Sequence, residues 1–382
     1  MAPTPTRPLS ALVLAAGEGT RMRSARPKPL HRLCGRPMLQ YVLDALVDLP
    51  IRRVVVVVGH RAEQMVKALQ GAAPLGVALD FAEQAVQRGT GDAVAVALAN
   101  LPDDDDADET DVVVLPGDTP LLRPATVAGL VRAHQGSDAA ATLLSARLRD
   151  PSGYGRVVRD RDGQVGRVVE EGDASDEERT IDEVNTSVYC FRRSVLAPAL
   201  RRLSPQNVQG EYYLTDAIGV IHDAGYRVAS MVAADPAETV GINDRAQLGA
   251  AEAVLRARIN DGWMRRGVTM LDPGHTYVDS TVRLAHDVTL LPGTLLQGAT
   301  TVGGGAEIGP YTHLVDCSVG EGATVEASLG RQAQIGAHAR VGPFAFLPPG
   351  TRVAAAALAG PSWAAGEYGG LAADEDGEGN GG

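Results

Sequence analysis

The chain has 382 residues, of which 45% are hydrophobic, 21% charged and only 4% aromatic. That length exceeds what one ordinary core organises, so two domains are the default, with interiors built from Ala, Val and Leu. A net charge of −12 argues against general nucleic-acid or anionic-membrane binding, which rest on cationic surface, but leaves room for a local cationic pocket.

The first residues, Met1 to Pro8, are rich in Pro and Thr and lack the apolar stretch of a signal peptide. Ala11 to Ala16 is a continuous apolar run ending in Gly17, as expected of a parallel strand buried on both faces. Pro37 to Leu49 carries apolar residues at helical spacing (Met38, Val42, Ala45, Leu46, Leu49) behind a proline suited to a first turn. Arg53 to Val58 reads as a second buried strand stopped by Gly59, and its apolar run is far too short to span a bilayer. Helix over Ala62 to Leu69, strand over Val77 to Phe81, helix over Gly91 to Ala99 and strand over Asp111 to Leu115 follow. Strand and helix alternating at this spacing imply a doubly wound α/β domain, which binds ligands beyond the carboxyl ends of its strands. The acidic stretch Pro102 to Thr110 reads as a solvated loop rather than a metal site.

Composition changes near residue 270. Apolar residues then recur every six positions, in one series Leu290, Leu296, Val302, Ile308, Leu314 and another Leu329, Ile335, Val341, Leu347, Val353. Neither helix nor ordinary strand has that period, whereas a triangular β-solenoid does, with one aliphatic side chain per face pointing into the coil. The irregular spacing between Leu314 and Leu329 suggests a turn with an insertion. The final segment, Gly360 to Gly382, is Gly-rich and acidic and has little to bury, so disorder is expected. The three cysteines, Cys34, Cys190 and Cys317, are far apart and odd in number. They fit neither a metal site nor a disulfide framework, and a cytoplasmic location is expected.

The chemistry concentrates after the first strand. Leu14-Ala15-Ala16-Gly17-Glu18-Gly19-Thr20-Arg21-Met22 is followed by Pro27-Lys28-Pro29-Leu30. Two glycines let backbone approach phosphates, and Arg21 and Lys28 would neutralise a triphosphate. The string resembles the sugar nucleotidyltransferase signature, and later segments narrow the match. They are Gln84-Ala85-Val86-Gln87-Arg88-Gly89-Thr90-Gly91, Leu115-Pro116-Gly117-Asp118-Thr119-Pro120-Leu121, Gly153-Tyr154-Gly155-Arg156 and Val169-Glu170. Glu183-Val184-Asn185-Thr186, Glu211-Tyr212-Tyr213-Leu214-Thr215-Asp216 and Gly241-Ile242-Asn243-Asp244-Arg245 complete the order. Together they resemble the GlmU family, the bacterial bifunctional enzymes that make UDP-N-acetylglucosamine, over roughly residues 9 to 353.

The resemblance implies a Rossmann-like nucleotidyltransferase domain over residues 9–250 and a linker helix region over 251–275. A short left-handed β-helix over 276–358 and the tail over 360–382 would complete the chain. The implied reaction joins UTP to N-acetylglucosamine 1-phosphate with Mg²⁺. Leu14, Ala15, Ala16 and Gly17 would bind nucleotide, with Gln84 and the backbone of Gly89 and Thr90 reading uracil. Asp118 and Asn243 would hold the metal. Gly155, Glu170, Asn185 and Thr215 would receive the sugar, and the solenoid would support a homotrimer. The sequence departs from the family at Asp92, where His is usual, at Gly172 in place of Lys and at Ser187 in place of Gly. The last two put the acceptor sugar in question, and an inward Asp92 would weaken nucleotide binding. The hexapeptide pattern stops near Val353, so no acetyltransferase activity is expected. Rival readings are the same chemistry on glucose 1-phosphate with UTP or dTTP, or a non-catalytic sugar-nucleotide-binding assembly subunit.

Overall fold

The computed structural model describes residues 7–59, 62–69, 77–102 and 110–361. The acidic stretch and the Gly-rich tail lie mostly or wholly outside them. Two compact units divide the chain: Met1–Leu33 with Pro37–Ala251, and Cys34–Arg36 with Glu252–Gly382.

The first unit is built on a nine-stranded sheet. Its strands are β1 (Leu9–Ala15), β2 (Ile51–Val58), β3 (Ala78–Glu83), β4 (Asp111–Pro116), β5 (Ala141–Arg147), β6 (Arg156–Arg159), β7 (Val165–Val169), β8 (Glu183–Arg192) and β9 (Val228–Val232). The order is β9-β5-β8-β4-β1-β2-β3, with β6 pairing β8 and β7. β1 runs parallel to β2 and β4, as the apolar runs imply. β8 runs antiparallel to β4 and β5, so the sheet is mixed rather than uniformly parallel.

Alternation along β1 explains its continuous apolar run from Ala11 to Ala15. Leu9, Ala11, Val13 and Ala15 pack on one face, with Leu39, Val42 and Leu43 of the helix Met38–Asp44. Leu12 packs on the other, with Ala93, Val94 and Ala97 of the helix Thr90–Leu98. Both faces are covered, so every position of the strand gains from being apolar, at about 1.5–3 kcal/mol for each large aliphatic side chain removed from water.

The second unit stacks short parallel strands into three sheets, a left-handed β-helix. Its strands begin at Thr269–Met270 and end at Leu358–Ala359. In the first series Leu290, Leu296, Val302, Ile308 and Leu314 all point inward. The second series needs correction at its start: Gly330, not Leu329, stacks between Leu314 and Leu347, and Leu329 faces outward. From Leu314 the inward residues are Val319, Val325, Gly330 and Ile335, in steps of five, six, five and five. The irregular stretch is therefore a set of one-residue deletions and not an insertion. A Cβ at Gly330 would lie 2.9 Å from Leu314 Cδ2 and 3.3 Å from Cys317 Sγ, so any side chain there must displace those two. Among the described residues, no helix is long and apolar enough to cross a membrane.

Candidate active site

Strand order reverses between β1 and β4: the chain travels outward from β1 through β2 to β3, then returns to β4 on the other side. The connections after β1 and β4 therefore diverge, leaving a crevice at the carboxyl edge. The Gly117 N–H donates to the Leu14 carbonyl at 2.8 Å, pinning the two strand ends together. A cavity of about 360 Å³ opens there, lined on one side by Leu14, Ala15, Ala16 and Gly17 and on the other by Gly117 and Asp118. Lys28, Gln84, Gly89 and Thr90 also line it.

Lys28 and Asp118 meet at its edge. The Lys28 ammonium donates to Asp118 Oδ2 at 2.6 Å and to Asn243 Oδ1 at 2.8 Å. Asn243 reaches this point because the Ile242 N–H binds the Asp118 carbonyl at 2.9 Å. Gly19, at φ +63°, turns the loop so that Lys28 passes close by; a Cβ at Gly19 would stand 2.6 Å from Lys28 Cβ. Arg21, in the same loop, is exposed and does not line the cavity. Among the described residues no group of three or more His, Cys, Asp or Glu side chains is placed to hold a metal. A cation at Asp118 and Asn243 would need further oxygens from substrate and water.

Gln84 continues β3 by one residue, its N–H donating to the Val58 carbonyl at 2.8 Å, which carries its side chain to the cavity rim. Gly89, at φ +109°, brings the next loop against Tyr212, where a Cβ would lie 2.6 Å from the Tyr212 carbonyl oxygen. The loop is tied down from both sides. Tyr212 N–H binds the Arg88 carbonyl, Gly91 N–H binds the Tyr212 carbonyl, and Thr90 Oγ1 accepts from the Leu214 N–H. Asp92 points to Gln84, accepting from its Nε2 at 2.8 Å while pairing with Arg88 at 2.9 Å. The charge feared at this position is therefore engaged by an amide and a guanidinium.

The four expected sugar-binding residues form one cluster. Thr215 Oγ1 donates to Glu170 Oε1 at 2.9 Å, and Asn185 N–H donates to the Gly155 carbonyl at 2.8 Å. A Cβ on Gly155 would lie 3.4 Å from Glu170 Oε2, so Gly155 leaves that carboxylate room. Burial, opposed by the Thr215 bond and aided by the charges of Asp216 and Asp173, raises the Glu170 carboxyl above its usual range. Asn185 Nδ2 donates to Tyr189 Oη at 2.7 Å, while its buried Oδ1 has no partner among the described residues. The hydroxyl of Tyr154, next to Gly155, is raised first by burial and then by the charge of Asp118.

Ser187 lines the cavity at φ +61°, on the bulge where β8 slips register against β5. Gly172 is exposed, and a Cβ there would come no closer than 3.9 Å to Val208. Sequence reasoning left Gln87 without a role, yet its Nε2 donates to the Ala16 carbonyl at 2.5 Å and it lines the cavity. Glu211 also lines it. Neither residue had a spacing that could have singled it out. Tyr213 is buried, and Tyr212 acts through its backbone.

Residues 11–218 match the family described as the MobA-like NTP transferase domain. The "Bifunctional protein GlmU" of Thermobifida fusca is 47% identical over 331 residues, 87% of this chain and 68% of the relative. That of Desulfitobacterium hafniense is 46% identical over 342 residues, 90% of this chain and 73% of the relative. That of Mycolicibacterium vanbaalenii is 47% identical over 356 residues, 93% of this chain and 72% of the relative.

Proposed function

The chain belongs to the GlmU family of nucleotidyltransferases, and from that premise we propose that it transfers UMP from UTP to N-acetylglucosamine 1-phosphate, giving UDP-N-acetylglucosamine and pyrophosphate. The observation that carries the reading is the Lys28 ammonium lying between Asp118 and Asn243, 2.6 and 2.8 Å away, at the edge of the switch-point cavity. A cation already sits between a carboxylate and an amide oxygen, both hard donors. The pair therefore fits a small divalent ion whose other ligands are phosphate and water. Asp118 and Asn243 would hold Mg²⁺, which when bound neutralises charge on phosphate oxygens.

The chain's own groups have a simple task. The sugar phosphate is already an anion and pyrophosphate leaves readily, so neither a general base nor a general acid is required. The barrier is repulsion between anions and the entropy of alignment. Lys28 supplies positive charge beside the phosphates, and Arg21, exposed in the same loop, is the second cation available to the triphosphate. The backbone from Leu14 to Gly17 cradles nucleotide, and Gln84 with Gly89 and Thr90 receives the base. Glu170 and the unpaired Asn185 Oδ1 accept from sugar hydroxyls, with Gly155 and Thr215 lining that pocket. A phosphate oxygen of the sugar phosphate attacks the α-phosphorus of UTP in line, forming the new P–O bond as the bond to pyrophosphate breaks. The three cysteines are buried and none is in a disulfide among the described residues, which supports the reading of a cytoplasmic enzyme.

A pyrophosphate-release assay with Mg²⁺, UTP or dTTP, and N-acetylglucosamine 1-phosphate or glucose 1-phosphate tests this. Fastest turnover is expected with UTP and N-acetylglucosamine 1-phosphate. Preference for glucose 1-phosphate would transfer the assignment to that acceptor, and no release with any pair would leave a binding subunit.

A further inference from the structure

Resting on the nucleotide reading above but going beyond it, we infer that Asp92 is a positioning residue: it fixes which atom of the Gln84 amide a bound base meets, and so selects bases with a ring N–H over cytosine. A carboxamide has one acceptor oxygen and one donor NH₂, and its two orientations have nearly the same shape. Here the neighbours decide between them. Gln84 Nε2 lies 3.1 Å from the Gly89 carbonyl oxygen and 2.8 Å from Asp92 Oδ2, and both can only accept. Turning the amide over would press its oxygen against two others.

Asp92 is itself held. Its Oδ1 pairs with Arg88 at 2.9 Å, in the loop just before the helix, leaving Oδ2 for the amide. Gln84 is 5% exposed, so its hydrogen bonds are made largely out of water. With Nε2 doubly engaged, the atom left for a ligand in the cavity is Oε1, which has no protein partner among the described residues. An acceptor at that point suits the N3–H shared by uracil and thymine. Cytosine carries a lone pair at N3 and would face it with repulsion. Without Asp92 only the Gly89 carbonyl orients the amide, which is then freer to turn its NH₂ toward cytosine.

The test compares kcat/KM for UTP with that for CTP in the parent, Asp92→Ala and Asp92→Asn proteins, by pyrophosphate release. Asp92→Ala is expected to lower the UTP-to-CTP ratio about tenfold, the scale of one hydrogen bond. The loss should fall on KM for UTP, with kcat little changed. Asp92→Asn has a single oxygen for two donors, Arg88 and the Gln84 amide, and its NH₂ can face Gln84, so it is expected to lower the ratio as well. If Asp92→Ala does not fold, Asp92→Leu takes its place, since it is of similar size and offers Gln84 no acceptor, and the same fall is expected. An unchanged ratio, or equal losses with both nucleotides, would overturn the inference. A parent protein that does not turn over UTP would instead defeat the functional reading on which it rests.

Discussion

Lys28, Asp118 and Asn243 are separated by 90 and then 125 residues, yet a single ammonium touches the other two side chains. Each is unremarkable alone; what distinguishes them is convergence on the crevice where strand order reverses. Asp118→Ala should lower kcat for pyrophosphate release by about 10²–10³-fold, the loss typical of removing one element of preorganised electrostatic stabilisation. Turnover near that of the parent would remove Asp118 from the metal site. Glu170 makes a separate prediction. Its carboxyl is raised, chiefly by burial, and it is useful to a sugar hydroxyl as the ionised acceptor. kcat/KM for the sugar phosphate should therefore fall as pH drops through a value above the ordinary glutamate pKa of about 4.3. That limb should be missing from the residual activity of Glu170→Gln; its persistence there would assign it to another group.

At the scale of elements, the apolar runs of β1, β2 and β4 were legible as strands because both faces of the sheet are covered. The direction of β8 was not, since an antiparallel strand between two packed faces reads no differently from a parallel one. The solenoid shows the same division. A period of six identified it, but one-residue deletions hid its register, because Leu329 looks like the inward residue while Gly330 occupies that place. This register is testable by denaturant unfolding. Gly330→Val forces methyl groups against Leu314 and Cys317 and should destabilise by about 1–3 kcal/mol. Leu329→Ala, on the outward side, should change stability by about 0.5 kcal/mol or less. The opposite ranking would restore Leu329 to the core.

For the whole molecule, two outer ladders of the solenoid are mainly polar, for example Arg283, Thr301, Ser318, Gln334 and Arg352. The third presents Tyr277, Leu295, His313, Leu329 and Phe346. In the homotrimer expected from the family resemblance, this ladder would be shared between copies. Sedimentation equilibrium should give three times the chain mass, and Phe346→Glu should lower it. A mass equal to one chain in the parent would refute the assembly.

What the amino-acid sequence determined by itself was local and periodic: buried strands from continuous apolar runs, a solenoid from a six-residue repeat, a loop of closely spaced glycines followed by cations after the first strand. These features depend on neighbours along the chain, and so survive in a linear reading. Tertiary structure alone decided that Lys28 spans Asp118 and Asn243, that Asn185, Gly155, Glu170 and Thr215 form one cluster, and that Asp92 turns toward Gln84. Those outcomes depend on where distant strand ends meet and on which donor faces which acceptor. Side-chain orientation within a crevice has no period to betray it.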